Sequence, residues 1–215
     1  MTELEALKAR HSVRNYQDKK IDPEVIAKLK SFIEECNKEG NLNLQLCEDA
    51  ANTYNKLLNK FMGLGSAPSV IACVGPISND LHERVGYYGQ KVVLYAQQHG
   101  LNTCWAGTFN KKTIPCKTND NDEIVISIAI GYGATSGKER KSKSAADVTM
   151  VTNGTYESSP DWFKAGVEAA LLAPTAINQQ KFLITLDNLS TPFAIAYSVG
   201  THTRSSLLLK NYQVR

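Results

Sequence analysis

Arg10, His11, Ser12 and Arg14 stand within five consecutive residues. Each guanidinium presents a planar fork of donors that matches a phosphate or the polar edge of a heterocycle, and the serine hydroxyl adds one more donor. Far downstream, Pro174, Thr175, Ala176, Asn178, Gln179 and Gln180 offer a different chemistry. Pro174 stops a helix, and the neutral donors and acceptors after it can satisfy ring carbonyls and nitrogens without fixing a charge. Lys138, Arg140, Lys141 and Lys143 form a basic run suited to clamping a phosphate. Gly107, after Trp105 and Ala106, lets backbone approach a planar ligand because it has no side chain. Taken singly, each cluster has a plainer reading: a solvated basic turn, a helix C-cap, a charged loop and a tight turn at a strand end.

Other chemistries find no support. No Ser-His-Asp or Cys-His arrangement can be argued from spacing, and no paired carboxylates stand out. We assign no catalytic side chain, which fits an enzyme whose reactive atom belongs to a cofactor. Gly131-Tyr132-Gly133 lacks the third glycine and the following helix of a dinucleotide fingerprint. The four histidines have no paired spacing, so no metal site is expected. The five cysteines are odd in number and show no C-x-x-C spacing, which reads as buried free thiols.

The chain that must position these groups has 215 residues, enough for one sizeable domain or two small ones. Its net charge of +3 does not point to nucleic acid. No apolar run reaches membrane-spanning length, and Met1 to Glu5 lacks the basic and apolar regions of a signal peptide. A cytoplasmic protein with no membrane partner is expected. Asp22-Pro23-Glu24 reads as a helix start, followed by Val25, Ile26, Leu29, Phe32, Ile33 and Cys36 at helical spacing. Leu42, Leu44 and Leu46 alternate as in a short strand, and a helix is expected from about Glu48 to Phe61. Pro68 to Val74 and Ile124 to Ile130 read as buried strands, the first closed by Gly75-Pro76. Between them a central helix places Tyr88, Val92, Tyr95, Ala96 and His99 on one face, with Gly100 at its cap. Residues 137–147 and 153–159 read as polar connectors. Ser159-Pro160-Asp161 repeats the cap-proline-acid start, with Phe163, Val167, Ala170 and Leu171 facing inward. Phe182 to Leu186 is a strand, and Leu207 to Leu209 lies in a final helix. The order helix, strand, helix thus occurs twice, which suggests a degenerate internal repeat.

Together these motifs resemble the nitroreductase family. Arg10-His11-Ser12-Val13-Arg14-Asn15-Tyr16 is similar to its N-terminal R-[RH]-S-x-[RK]-x-[FY]. Gly100 to Gly107 resembles G-L-x-T-C-W-x-G, and Ile130-Gly131-Tyr132-Gly133 resembles I-G-Y-P. Lys141-Ser142-Lys143 is similar to K-S-[RK], and Ala173 to Gln180 to A-P-S-x-x-N-x-Q. Thr175 replaces the usual serine, and Lys181-Phe182 replaces the usual proline and tryptophan. The A-P-S-type loop comes last here, an order that resembles the subfamily in which two degenerate half-units are fused in one chain.

The resemblance implies an α+β nitroreductase-like fold, a central antiparallel or mixed sheet with flanking helices, internally duplicated. Residues 1–150 would form the N-terminal half and 151–215 the half supplying the late loop. It implies FMN as cofactor, NADH or NADPH as donor, and a nitroaromatic, a quinone or a similar small molecule as acceptor. Arg10, His11, Ser12 and Arg14 would hold the FMN phosphate and pyrimidine edge, Arg14 stabilising negative charge on the reduced ring. Lys141 and Lys143 would add phosphate contacts. Pro174, Thr175, Ala176 and Asn178 would line the ring and ribityl chain with Gln180 nearby, while Ala106 and Gly107 would approach with backbone. One polypeptide would imitate the family's dimer as a monomer, a homodimer being the alternative. A non-catalytic FMN storage or sensor protein is the alternative function.

Overall fold

Val70, Ile71, Ala72, Cys73 and Val74 are all fully inaccessible to solvent, so the strand they form is covered on both faces. The computed structural model describes residues 1–49, 53–54, 64 and 67–187, and the backbone of 195–198. Contacts divide the chain into two units, Met1–Glu139 and Arg140–Arg215.

In the first unit β1 (Gln45–Cys47), β2 (Ser69–Pro76), β3 (Asn102–Ala106) and β4 (Asp122–Gly131) form a sheet in the order β1-β2-β4-β3, every neighbour antiparallel. The side-chain period of two sorts each strand onto two faces. Ile71, Cys73, Ile128 and Ile130 meet α2 (Pro23–Gly40) and α3 (Leu81–Gln98) through Leu29, Ile33, Val85, Val92, Val93 and Ala96. Val70, Ala72, Val74, Cys104, Ala106 and Ala129 face the other way, against Val13, Tyr16, Tyr54, Leu64 and Ile114. This double cover explains an apolar run without alternation in an antiparallel sheet, a pattern more usual in parallel ones.

Several boundaries differ from the sequence expectation for identifiable reasons. The strand expected at Leu42 to Leu46 is shorter and later, because Leu42 and Leu44 are buried before β1 begins. Gly75-Pro76 does not close β2. Both residues stay in register with Glu123 and Asp122 beyond a bulge at Cys73/Val74, and Pro76 sits at the strand's last position, where a missing donor costs little. Asp22 precedes α2 but makes no side-chain cap; its carboxylate accepts from Tyr132 Oη at 2.7 Å instead. Asn41, left-handed at φ 47°, follows Gly40. Gly100 supplies the left-handed turn after α3, at φ 76°. Tyr95 stacks on Phe32, so that part of the expected helix face is aromatic and only half-buried. The helix expected over Glu48 to Phe61 falls mostly outside the described residues, and the final helix at Leu207 to Leu209 lies outside them.

In the second unit β5 (Thr149–Val151), β6 (Phe182–Leu186) and β7 (Ile195–Ser198) form a mixed sheet, β5 parallel and β7 antiparallel to β6. Its core joins Val148, Ile184 and Leu186 to Phe163, Val167 and Ala170 of α4 (Asp161–Leu172). The boundary between units thus lies before β5, which pairs with β6. α4 starts one residue later than Ser159-Pro160-Asp161 suggests, with Pro160 as its cap. Ser159 Oγ instead donates to Thr155 O at 2.9 Å.

All five cysteines are free; Cys36, Cys47, Cys73 and Cys104 are buried and Cys116 half-buried. Among the described residues no helix is long and apolar enough to cross a membrane.

Candidate functional site

The arginine motif follows α1 (Glu3–Ala9), which a capping box fixes: Glu5 N donates to Thr2 Oγ1 at 3.2 Å, and Thr2 N to Glu5 Oε2 at 2.7 Å. Arg10 caps the other end in an extended conformation and turns the chain toward the sheet. Residues 11–17 then run between β3 and the segment after β4. On one side Val13 N donates to Thr103 O at 3.0 Å. On the other, Gln17 N donates to Tyr132 O at 2.8 Å and Ala134 N to Asn15 O at 2.9 Å. Tyr16 Oη donates to Val13 O at 2.7 Å, with Ala129 O at 3.2 Å as a second acceptor. Val13 and Tyr16 are therefore buried, Arg14 is exposed, and His11 and Ser12 are half-buried. Arg10 is only 5% exposed.

Two further groups define this end of β3. Burial pushes the Cys104 thiol up, opposed by the charges of Arg14 and Arg10 and by a hydrogen bond from Ser12. Of the motif, Ser12 thus reaches the Cys104 thiol by a hydrogen bond, while Arg10 and Arg14 act on it through their charge. Ala106 is fully buried, and its carbonyl accepts from Ser127 Oγ at 3.0 Å. Gly107 just beyond is exposed, and a Cβ there would meet nothing within 4 Å.

The second unit carries the neutral loop and the basic run. After α4 the chain is extended at Thr175, then makes a single tight turn, Ala176–Asn178. Ile177, Asn178 and Gln180 have φ of 45°, 56° and 47°. Asparagine tolerates this region, but a β-branched residue in it is an outlier, costing about 1–3 kcal/mol. Ile177 is nonetheless 83% exposed, so burial of its side chain is not what holds it there. Hydrogen bonds hold the loop instead. Gln180 N donates to Thr175 Oγ1 at 3.0 Å, and Asn178 Nδ2 to Lys141 O at 2.9 Å. Lys143 N donates to Gln180 Oε1 at 2.7 Å, and Lys143 Nζ to Gln180 O at 3.1 Å. Arg140 donates to Leu171 O at 2.6 Å, and burial lowers the pKa of its guanidinium.

The structure thus carries Arg10, His11, Ser12 and Arg14 on one short segment pinned beside Thr103 and Tyr132 in the first unit. It brings Lys141, Lys143, Thr175, Asn178 and Gln180 together in the second, with Pro174 and Ala176 in the same loop. Thr103 and Gly137 were not read from the sequence as part of either surface. Thr103 accepts from the motif's backbone, which side-chain chemistry does not reveal. Gly137 has φ 86°, and a Cβ there would lie 2.7 Å from His11 Cβ. Its sequence signal was a glycine directly before a charged run. Among the described residues no group of His, Cys, Asp and Glu could hold a metal ion.

A family model described as "Putative TM nitroreductase" matches residues 3–202, and the chain belongs to that family. A solved structure of a "putative nitroreductase" from Thermotoga maritima MSB8 is 24% identical, with a TM-score of 0.60 over 87% of this chain and 72% of that one. A "putative nitroreductase in complex with FMN" from Exiguobacterium sibiricum 255-15 is 18% identical, with a TM-score of 0.53 over 68% and 95%. A "putative NADH oxidase" from Clostridium acetobutylicum is 23% identical, with a TM-score of 0.51 over 66% and 96%. At these identities the likeness establishes the nitroreductase-like α+β fold. No curated protein matches.

Proposed function

We propose that the protein is an FMN-dependent oxidoreductase that takes reducing equivalents from NADH or NADPH and delivers them to a small acceptor such as a nitroaromatic or a quinone. The observation that carries this reading is the arginine motif. A chain segment pinned on both sides presents Arg14 to solvent beside half-buried His11 and Ser12. Such a donor set fits an anionic group and the polar edge of a flavin. The late loop fits the ring's neutral atoms, since it displays amides and a hydroxyl on a backbone held by hydrogen bonds. The FMN bound in one structural neighbour and the description of another as an NADH oxidase support the same reading.

FMN supplies the redox chemistry when bound, accepting hydride and passing electrons on. The protein's own groups bind and orient. Arg10, His11 and Ser12 meet the phosphate and pyrimidine edge. Arg14 places a positive charge at that edge. Exposed Lys141 adds a phosphate contact. Pro174, Thr175, Ala176 and Asn178 line the ring and ribityl chain, and Gly107 leaves room for backbone contact. The late position of the A-P-S-type loop, on the same chain as the arginine motif, is the reason for expecting a monomer, with a homodimer as the alternative. Light scattering on a sizing column tests this.

Arg14→Ala tests the assignment. Losing a charge-assisted contact of about 1.5–3 kcal/mol weakens FMN binding by about ten- to a hundredfold. Unchanged affinity and turnover would remove Arg14 from the site.

A further inference from the structure

Lys143 would be assigned to the FMN phosphate from its place in the basic run, yet the structure engages it elsewhere. It makes two bonds to one residue: its backbone N–H donates to the Gln180 side chain at 2.7 Å, and one of the three N–H groups of its ammonium donates to the Gln180 carbonyl at 3.1 Å. Gln180 is itself 2% exposed and left-handed at φ 47°. Its backbone N–H donates to Thr175 Oγ1 at 3.0 Å. The loop between Thr175 and Gln180 is thus closed on itself and tied to the basic run at its C-terminal end. A second tie, Asn178 Nδ2 to Lys141 O at 2.9 Å, holds its middle. Between these ties stands Ile177, left-handed and almost fully exposed. A strained, exposed β-branched residue persists only where the surroundings over-determine its backbone.

We propose that Lys143 and Gln180 are positioning residues that clasp the Thr175–Gln180 loop in its left-handed form, and that the Lys143 ammonium does not contact the cofactor phosphate. This rests on the FMN-binding reading above. The clasp presets the loop's backbone before a ligand arrives, so binding bears less of the ordering cost. A loop that meets the ring acts on any flavin alike. A lysine on the phosphate acts only on the phosphorylated one.

Comparing FMN with riboflavin, which lacks the phosphate, separates these roles. Lys143→Met and Gln180→Ala are titrated with each flavin by fluorescence quenching, beside the parent protein and Arg14→Ala. The expected result is that both clasp variants lose affinity for FMN and riboflavin by the same factor, within about twofold. The spectrum of bound flavin shifts in both, reporting a changed ring environment that a loss of global stability alone would not produce. A loss of tenfold or more for FMN with riboflavin unchanged, on Lys143→Met, would overturn the proposal, and so would unchanged binding of both flavins. Lysine acetylation of the parent protein, mapped by mass spectrometry, tests the same point without a variant. Equal labelling of Lys143 with FMN and with riboflavin supports the clasp; protection by FMN alone contradicts it. A parent protein that binds neither flavin would instead overturn the function reading itself, and the clasp's role toward a flavin with it.

Discussion

Gly137 passes so close to His11 that a Cβ on the glycine would lie 2.7 Å from His11 Cβ and 3.2 Å from Val13 Cγ2. The chain leaving the sheet after β4 is therefore laid directly against the arginine motif, and only glycine fits. At φ 86° any L side chain is also strained. Gly137→Ala is expected to destabilise by about 1–3 kcal/mol and to weaken FMN binding through displacement of His11 and Ser12. Urea unfolding and a flavin titration check both. A variant with unchanged stability would mean that this crossing yields easily.

Arg84 ties the end of α2 to the start of α3. Its Nη1 donates to Gly40 O at 2.6 Å and Asn41 O at 2.7 Å, Nη2 to Ser78 Oγ at 2.7 Å, and Nε to Asp80 Oδ2 at 3.1 Å. The side chain is 18% exposed, so these bonds are partly shielded from water. Arg84→Ala is expected to cost about 2–3 kcal/mol, because it leaves carbonyls at a helix end without their donors. Arg84→Lys restores only part of the loss, since an ammonium lacks the planar fork. Equal stability of the lysine variant and the parent protein would refute the fork argument.

Ile177→Asn is expected to stabilise the protein, although it replaces a large apolar residue. The side chain is 83% exposed, so little burial is lost. Asparagine accepts φ near 45° with less strain, a gain of about 0.5–1 kcal/mol. A fall in the urea midpoint would show that Ile177 makes a contact important for the fold.

Alkaline pH weakens the fold in a defined window. Burial pushes the Cys36 and Cys47 thiols up to about 11, from an ordinary 9.0. Burial also raises Tyr16 and Tyr54. Between these values the folded state holds protons that the unfolded chain has lost, so stability falls as pH rises. The urea midpoint should not respond to these groups below about pH 8.5 and should fall progressively between about pH 9 and 11. A midpoint that rises over this range would contradict the burial of the thiols.

Much of the frame was readable because local chemistry decides it. Pro23 and Gly100 mark helix ends where proline fixes φ and glycine permits a positive one. The apolar runs around Val70 and Ile128 could only be interior strands. Other features depend on partners remote in sequence. Asp22 looks like a helix cap, but a tyrosine 110 residues away takes its carboxylate. The tie between Lys143 and Gln180 joins residues 37 apart through backbone that no glycine announces. Nothing in the letters of Ile177 predicts a left-handed conformation, since β-branched residues avoid it. Residue types therefore suggested both candidate surfaces, while the internal hydrogen bonds that shape them emerged only from the fold.

Anaerobic visible spectroscopy of the purified protein tests the central claim most directly. Supplied with FMN and then with NADH or NADPH, the protein is expected to show the visible bands of bound oxidised flavin and to lose them on addition of one nicotinamide. A protein that stays yellow with both is an FMN-binding storage or sensor protein. A colourless protein that takes up no FMN contradicts the account.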